Sequence, residues 1–202
     1  MAVGKAIDST LSRYSHQFDQ GLRPTVGAMS RFATTTLDEE LRDIDLPVEP
    51  TEKASAQAQI TAVLQAFRKT EVFGLPRPKT RMVLIDEQVG VYTQPDYWDR
   101  KSRFYEMKSY RAVPLPPDVV LQLRLFQLGF AGLEGFLICV NRHVSPPDVS
   151  ITPVPPITGV EAGETLRQAL QIGLEIGIPK VLEFIDSPVV RYTTAGLSVR
   201  PT

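Results

Sequence analysis

The chain has 202 residues, of which 43% are hydrophobic and 22% charged. This length fits one domain of ordinary size, or one domain with a small appendage, and excludes a multidomain machine. The apolar content predicts a globular chain with a core and excludes disorder throughout its length. Basic and acidic side chains number 22 and 23, so the chain as a whole lacks the basic excess of a protein that coats nucleic acid non-specifically.

Cysteine usage and hydropathy restrict the class further. The chain has one cysteine, Cys139, which excludes an internal disulfide framework and a multi-cysteine metal site. No apolar stretch approaches the ~18 residues of a transmembrane helix, and the first residues lack a hydrophobic secretory segment. We therefore expect an intracellular protein of the cytoplasm or nucleoid. The alternative is an organellar transit peptide, because the first 36 residues hold four basic against two acidic side chains.

The first third of the chain is predicted to be helical. Residues 3–21 and 53–69 each carry apolar side chains at helical intervals, and the first segment ends at Gly21. Between them, residues 34–52 hold seven acids against Arg42, which is typical of a solvated helix-and-loop connection.

The pattern then changes to that of strands. Residues 81–85 and 89–93 read as a hairpin, and the polar turn 99–102 leads into a third strand over 103–110. Helix 117–131 follows, and the apolar run 136–140 is typical of a central buried strand. The order predicts an α/β fold with a central mixed β-sheet flanked by helices.

The last sixty residues are less regular. Residues 145–158 hold five prolines, and we expect them to form a loop across the surface because proline neither pairs in a central strand nor continues a helix. Residues 161–176 predict a final helix with Gly177 as its stop signal. An extended or partly helical piece completes the chain, and the prediction is one domain over residues 1–202.

The turn at 99–102 brings together three side chains that carry chemistry. Glu106 and Lys108 alternate along one strand and so project from the same side. A hairpin at this turn places Asp96, at the end of the preceding strand, beside Glu106. Two carboxylates suit Mg²⁺ or Mn²⁺, which activates a water, and a lysine steadies that water or the charge developing on a phosphate. The alternative is a surface ion pair on an exposed strand.

The arrangement Pro95-Asp96, nine residues, Glu106-Met107-Lys108 resembles the signature of the PD-(D/E)xK nuclease superfamily. The resemblance implies that Asp96 and Glu106 bind metal and that Lys108 assists catalysis. Two further matches point to the RecB-like exonuclease branch, and the order of elements over about residues 3–142 agrees with it. The implied fold is that of restriction endonucleases, and the implied activity is Mg²⁺- or Mn²⁺-dependent hydrolysis of DNA, as an exonuclease of repair, recombination or replication.

The two further matches lie on predicted helices. Gln122 and Phe126 are similar to the branch's Gln-x-x-x-Tyr motif, with Phe in place of Tyr, so only the orienting role of Gln122 carries over. Gly4 to Asp8 is similar to the branch's Gly-x-x-x-His motif, with Asp8 as a further metal ligand. The alternatives are a polar interruption of a half-exposed helix face for Gln122 and a favourable helix-dipole position for Asp8.

The charge distribution suggests where DNA would bind. Residues 68–111 hold ten basic and six acidic side chains, which leaves the rest of the chain negative. The expected phosphate contacts are Arg100, Lys101, Arg103 and Arg111, with Arg77, Lys79 and Arg81 as further candidates. Tyr97 and Trp98 are candidates for stacking a base of a single strand, against the alternative of core packing.

The expected partners are DNA, single-stranded or with free ends, and, by resemblance, a helicase or a replication or repair protein; no membrane partner is expected. A second function remains open at this point: a nuclease-fold module that binds nucleic acid or a protein without cutting. The changes at Asp8 and Phe126 motivate it. Glycine-rich phosphate loops and Ser/His/Asp signatures are absent, which argues against helicase, kinase and serine hydrolase activity.

Overall fold

A computed structural model of the protein describes residues 2–43, 49–85, 90–108, 115–141, 144–176, 189–193 and 196–200. The helices in these ranges are α1 (Ala2–Asp19), α2 (Val26–Asp43), α3 (Pro50–Phe67), α4 (Pro117–Gly129) and α5 (Gly159–Ile176). The strands are β1 (Arg81–Leu84), β2 (Gly90–Thr93), β3 (Tyr97–Trp98), β4 (Arg103–Lys108), β5 (Glu134–Asn141), β6 (Asp148–Pro153), β7 (Val189–Thr193) and β8 (Gly196–Arg200).

These strands form two four-stranded sheets with the orders β2-β1-β7-β8 and β3-β4-β5-β6. The first sheet is mixed, because β1 pairs antiparallel with β2 and parallel with β7. The α/β prediction with a mixed sheet is confirmed, although the described strands are divided over two sheets where the sequence predicted one. The C-terminal piece contributes β7 and β8, so its described residues are extended.

The chain divides into two units. Unit 1 comprises residues 1–77, 107–111 and 137–152, and unit 2 comprises residues 78–106, 112–136 and 153–202. Strands β4 and β5 contribute residues to both. The single domain that the sequence suggests remains a prediction.

Unit 1 contains the three N-terminal helices, whose apolar stripes form its core. Ile7 and Leu11 of α1 and Ile60 and Leu64 of α3 are buried as their helical spacing predicts. Gly21 adopts a φ of 81° just beyond α1, a conformation that favours glycine.

The prediction for residues 34–52 was partly wrong, because residues 34–43 belong to the long helix α2. The buried stripe of α2 includes Met29, Ala33 and Leu37, spaced four residues apart. Small side chains interrupt this stripe in the sequence, and the acidic residues beside it suggested a solvent-exposed segment.

The proline-rich segment was also predicted incorrectly, since Asp148–Pro153 forms strand β6 rather than loop. β6 is the last strand in the order β3-β4-β5-β6. A strand at the edge of a sheet needs only one side of its backbone for pairing, and it therefore tolerates proline.

Unit 2 contains the packing that positions the candidate site. Val83 of β1, Leu128 of α4 and Ala162 and Leu166 of α5 form one buried cluster. Phe104 of β4, Phe126 of α4 and Phe130, which directly follows α4, form another. Helix α4 belongs to both clusters and so fixes the side chains that it carries. None of the helices in the described ranges is long and apolar enough to span a bilayer.

Candidate active site

The β3–β4 hairpin begins directly after Asp96 and contains Glu106. β3 pairs antiparallel with β4 in the register Tyr97 with Tyr105 and Trp98 with Phe104. Asp96 lies in a bend just before β3, whereas Glu106 lies within β4. Extending the register by one residue would put Asp96 opposite Glu106, and the convergence of the two carboxylates stays a prediction.

Asp99 organises the turn that sets this register. Its carboxylate oxygen Oδ1 accepts hydrogen bonds from the backbone N–H groups of Lys101, Ser102 and Arg103 at 2.8, 2.9 and 3.0 Å. Burial alone would raise the pKa of the Asp99 carboxyl, but the backbone donors of Arg103, Lys101 and Ser102 and the Ser102 hydroxyl outweigh it and lower that pKa. Arg100 takes a φ of 64°, which gives the turn its tight reversal.

The face of β4 that carries Glu106 packs against aromatic side chains of α4 and its C-terminal cap. Phe104 lies two residues before Glu106 on the same face of β4, and its ring packs edge-on against Phe126 with centroids 6.4 Å apart. The centre of the Phe130 ring lies 6.0 Å from that of Phe104. Glu106 is itself 4% exposed, so its carboxyl group lies at the border of an apolar cluster.

Gln122 lies one turn before Phe126 on α4, so the two side chains share one helix face. Phe126 packs on Phe104, which lies two residues before Glu106 on β4. Asp96, Glu106 and Gln122 all belong to unit 2, and their meeting in one site stays a prediction.

Close contacts at the C-terminal end of α4 hold this arrangement. Arg81 of β1 donates a hydrogen bond to the carbonyl oxygen of Gly129 at 3.1 Å, and its guanidinium lies 4.3 Å from the centre of the Phe130 ring. Burial lowers the pKa of the Arg81 guanidinium. This cation packs between helix and sheet, which supports a structural role over the phosphate contact considered from the sequence.

Two of the predicted site residues belong to unit 1. Lys108 is half-buried at the end of β4 and alternates with Glu106 along the strand. Asp8 is exposed on α1. The roles of Lys108 as a catalytic group and of Asp8 as a metal ligand stay predictions.

The predicted DNA contacts divide into exposed and packed side chains. Arg100 and Lys101 are exposed at the hairpin turn. Arg103 lies 5.2 Å from the centre of the Phe136 ring and 3.4 Å from a carboxylate oxygen of Glu134. Arg111 lies outside the described residues, and Lys79 is exposed near the start of unit 2. Arg77 belongs to unit 1, where it donates a hydrogen bond to the Ser12 hydroxyl at 2.6 Å.

The two aromatic candidates are both used in packing. Tyr97 is 4% exposed, and Trp98 packs against the cluster of Phe104, Phe126 and Phe130. For both residues the structure supports the packing alternative over stacking on a base, and for Tyr97 the burial leaves no open ring face.

Sequence reasoning missed a groove that adjoins Gln122. A cavity of about 390 Å³ opens between β2, α4 and α5 within unit 2. Its described lining residues are Val91, Tyr92, Thr93, Asp118, Leu121, Gln122, Leu125, Phe126, Gln168 and Ile172. The sequence shows four-residue spacings in both helices that line the groove, Asp118 with Gln122 on α4 and Gln168 with Ile172 on α5. It does not show that α4 and α5 pack side by side.

The donor set fits a small hard cation with few protein ligands. Within the described part of the chain, no three His, Cys, Asp or Glu side chains cluster in a way that would hold a metal ion. Mg²⁺ keeps several waters and takes one or two carboxylates from a protein. The facing carboxylates of Asp96 and Glu106 meet this smaller requirement, and Mn²⁺ accepts the same oxygen ligands.

Comparison with known proteins gives a likeness at the level of fold. No protein-family model and no curated protein matches the chain. The structure resembles the crystal structure of a "Putative exonuclease" from Eubacterium rectale with a TM-score of 0.53 and 12% sequence identity. The likeness covers 91% of this chain and 72% of that chain. The two proteins therefore share an α/β fold.

Proposed function

We propose that this chain is a Mg²⁺- or Mn²⁺-dependent nuclease that hydrolyses phosphodiester bonds of DNA. The observation that supports the proposal is the β3–β4 register, because its extension by one residue would put Asp96 opposite Glu106. Phe126 of α4 packs on Phe104 of β4, and in this proposal Gln122, one turn before Phe126, adds an amide. The fold shared with a protein named as an exonuclease supports an exonuclease over other hydrolases.

Each side chain has a role that follows from its chemistry. Asp96 and Glu106 hold the cation, and Glu106 is buried. When bound, the cation would acidify a coordinated water and neutralise charge on the scissile phosphate. Gln122 orients the phosphate or the water through its amide. Lys108 adds a positive charge in this proposal, which needs no ligand beyond the two carboxylates.

Exposed basic side chains give the chain a means to hold the DNA backbone. Arg100 and Lys101 are exposed at the hairpin turn, six and five residues before Glu106, a span of at most roughly 20 Å. That span covers a few nucleotides of a single strand. We propose single-stranded DNA or DNA with free ends as the substrate, and a helicase or a replication or repair protein as the partner that supplies it inside the cell.

The test compares wild-type protein with Glu106→Gln on end-labelled single- and double-stranded DNA in Mg²⁺, Mn²⁺ or EDTA. This change keeps the volume of the side chain and removes the negative charge. Glu134→Gln is the matched control, because Glu134 also lies on a strand of the same sheet but is exposed. We expect metal-dependent cutting by the wild type and the control and a loss of at least a hundredfold in Glu106→Gln. Equal cutting by all three would refute the assignment of Glu106.

One observation favours a second function, namely a nuclease-fold module that binds DNA or a protein partner without cutting it. Phe126 stands at the position of the motif's tyrosine and packs edge-on against Phe104, as a core residue would. Such a module would bind DNA equally in EDTA and Mn²⁺, and it would leave end-labelled substrates intact in both.

A further inference from the structure

Helix α4 lines the groove of unit 2 and also contacts β4. Gln122 and Phe126 line the groove, and Phe126 also packs against Phe104 of β4. Asp118 and Gln122 lie one turn apart on α4, and Gln168 and Ile172 lie one turn apart on α5. A ligand in the groove therefore contacts the helix that packs on the strand of Glu106.

The charge that the described residues bring to the groove disfavours a phosphate as its occupant. Asp118 is the charged side chain among its described lining residues, and none of those residues is Lys or Arg. A phosphate placed there would meet a carboxylate without a countercharge. A neutral ligand that offers hydrogen-bond donors is favoured instead.

The remaining surface suits a flat, heterocyclic ring. Leu121, Leu125 and Ile172 supply apolar walls, and the side-chain amides of Gln122 and Gln168 supply both donors and acceptors. Glutamine pairs with the amino and ring nitrogen atoms of adenine, and a carboxylate accepts from the amino group of cytosine. The volume of about 390 Å³ exceeds what one base needs and remains within the range of small-ligand sites.

We propose that this groove is a nucleobase subsite, which binds the base of a nucleotide next to the phosphate at Glu106. The proposal rests on the proposed nuclease function for the position of the strand. In this proposal the protein binds its substrate through an uncharged base as well as through phosphates. Counterions are released only by the phosphate contacts, so the contribution of the base to the affinity does not depend on the salt concentration.

The test measures binding of single-stranded 12-mers by fluorescence anisotropy in EDTA, where no cutting occurs. An abasic nucleotide is moved through every position of the 12-mer. We expect one or two positions at which the missing base raises the Kd about tenfold. Ile172→Glu places a carboxylate in the groove at a residue that is 40% exposed. It should raise the Kd of the complete 12-mer about tenfold and abolish the abasic effect.

The matched control is Val160→Glu, which adds the same charge to the same helix at a residue that is 74% exposed and does not line the groove. Thermal unfolding followed by circular dichroism verifies that both variants are folded. Val160→Glu should keep the abasic effect and lose at most twofold in affinity.

The outcomes separate this inference from the proposed function. Suppose that the protein cuts DNA in a metal-dependent way. If no abasic position then changes the Kd, or if the two variants have equal effects, the subsite is refuted and the nuclease function is retained. An abasic effect that Ile172→Glu removes, in a protein that never cuts, would support the subsite and refute the nuclease. Failure to bind any 12-mer in EDTA would overturn the subsite, and the cutting assay then decides the nuclease by itself.

Discussion

The closest approach between α4 and the sheet occurs at Gly129 and gives a prediction with a calculable magnitude. A Cβ atom built on Gly129 would overlap the hydroxyl oxygen of Thr93 and lie 3.1 Å from its Cβ. Ordinary carbon contacts lie at about 3.5–4.0 Å, so Gly129→Ala forces α4 and β2 apart. Thr93 cannot easily turn away, because it is 1% exposed and its hydroxyl donates to the carbonyl oxygen of Arg81.

Two opposing effects set the size of the loss. Overpacking of this kind costs about 1–3 kcal/mol. Alanine is favoured over glycine within a helix by up to about 1 kcal/mol, and less at the last residue of a helix. We therefore expect Gly129→Ala to lower the free energy of unfolding by about 1–2 kcal/mol. With an m-value of about 2–3 kcal/mol per M urea, the midpoint of unfolding falls by about 0.5 M.

A double-mutant cycle tests the reasoning. Thr93→Ala removes the overlapping oxygen at the cost of one hydrogen bond, about 1 kcal/mol. In that background Gly129→Ala should cost clearly less, although the two Cβ atoms would still lie 3.1 Å apart, so we expect the two changes to couple by about 1 kcal/mol. Urea unfolding followed by circular dichroism measures all four proteins. Equal effects of Gly129→Ala in both backgrounds would refute the steric explanation.

Three further changes probe elements that hold the site. Asp99→Ala should cost about 1–2 kcal/mol, because three backbone donors lose their acceptor. The pKa of Asp99 is lowered in the folded protein, so Asp99 contributes its full stabilisation above its ordinary pKa of 3.8. This stabilisation is lost as the pH falls through the folded pKa. Acid unfolding that is equally steep in Asp99→Asn would contradict this. Thr158→Ala should cost about 1 kcal/mol, because Thr158 and Glu161 form a reciprocal cap of α5, and Thr158→Ser should retain most of it in urea unfolding. Phe104→Ala should cost about 3–5 kcal/mol, since Phe104 is fully buried; a loss below 1 kcal/mol, or one equal to that of Phe104→Leu, would argue against its place in the core.

The elements that the sequence predicted well are those whose signal is local. The bounds of α3 and α4 lie within three residues of the predicted helices 53–69 and 117–131, because a buried stripe at helical spacing identifies both. The same holds for the start of β4, which follows a short polar turn. The sequence also contains the capping box of Thr158 and Glu161, but the predicted start of α5 lies two residues after the observed start.

The juxtaposition at the candidate site was also accessible, for the same reason. Asp96 and Glu106 are ten residues apart along one hairpin, and a hairpin couples residues that lie at equal distances from its turn. The contribution of Gln122 needed more, since only the packing of Phe126 on Phe104 shows which face of α4 turns towards the strand.

Tertiary structure decided what depends on partners far along the chain. β1 pairs in parallel with β7, which lies more than a hundred residues further along the chain. A local sequence pattern does not predict such a pairing. β6 is a strand because it lies at a sheet edge, where its prolines are tolerated. The groove forms because α5 packs beside α4. Arg124 of α4 and Glu161 of α5 form an ion pair between the two helices at 2.7 Å. The periodicity and turn residues of a segment predict its secondary structure and its apolar face. Which segments pack against one another depends on the burial of these apolar faces in the tertiary structure.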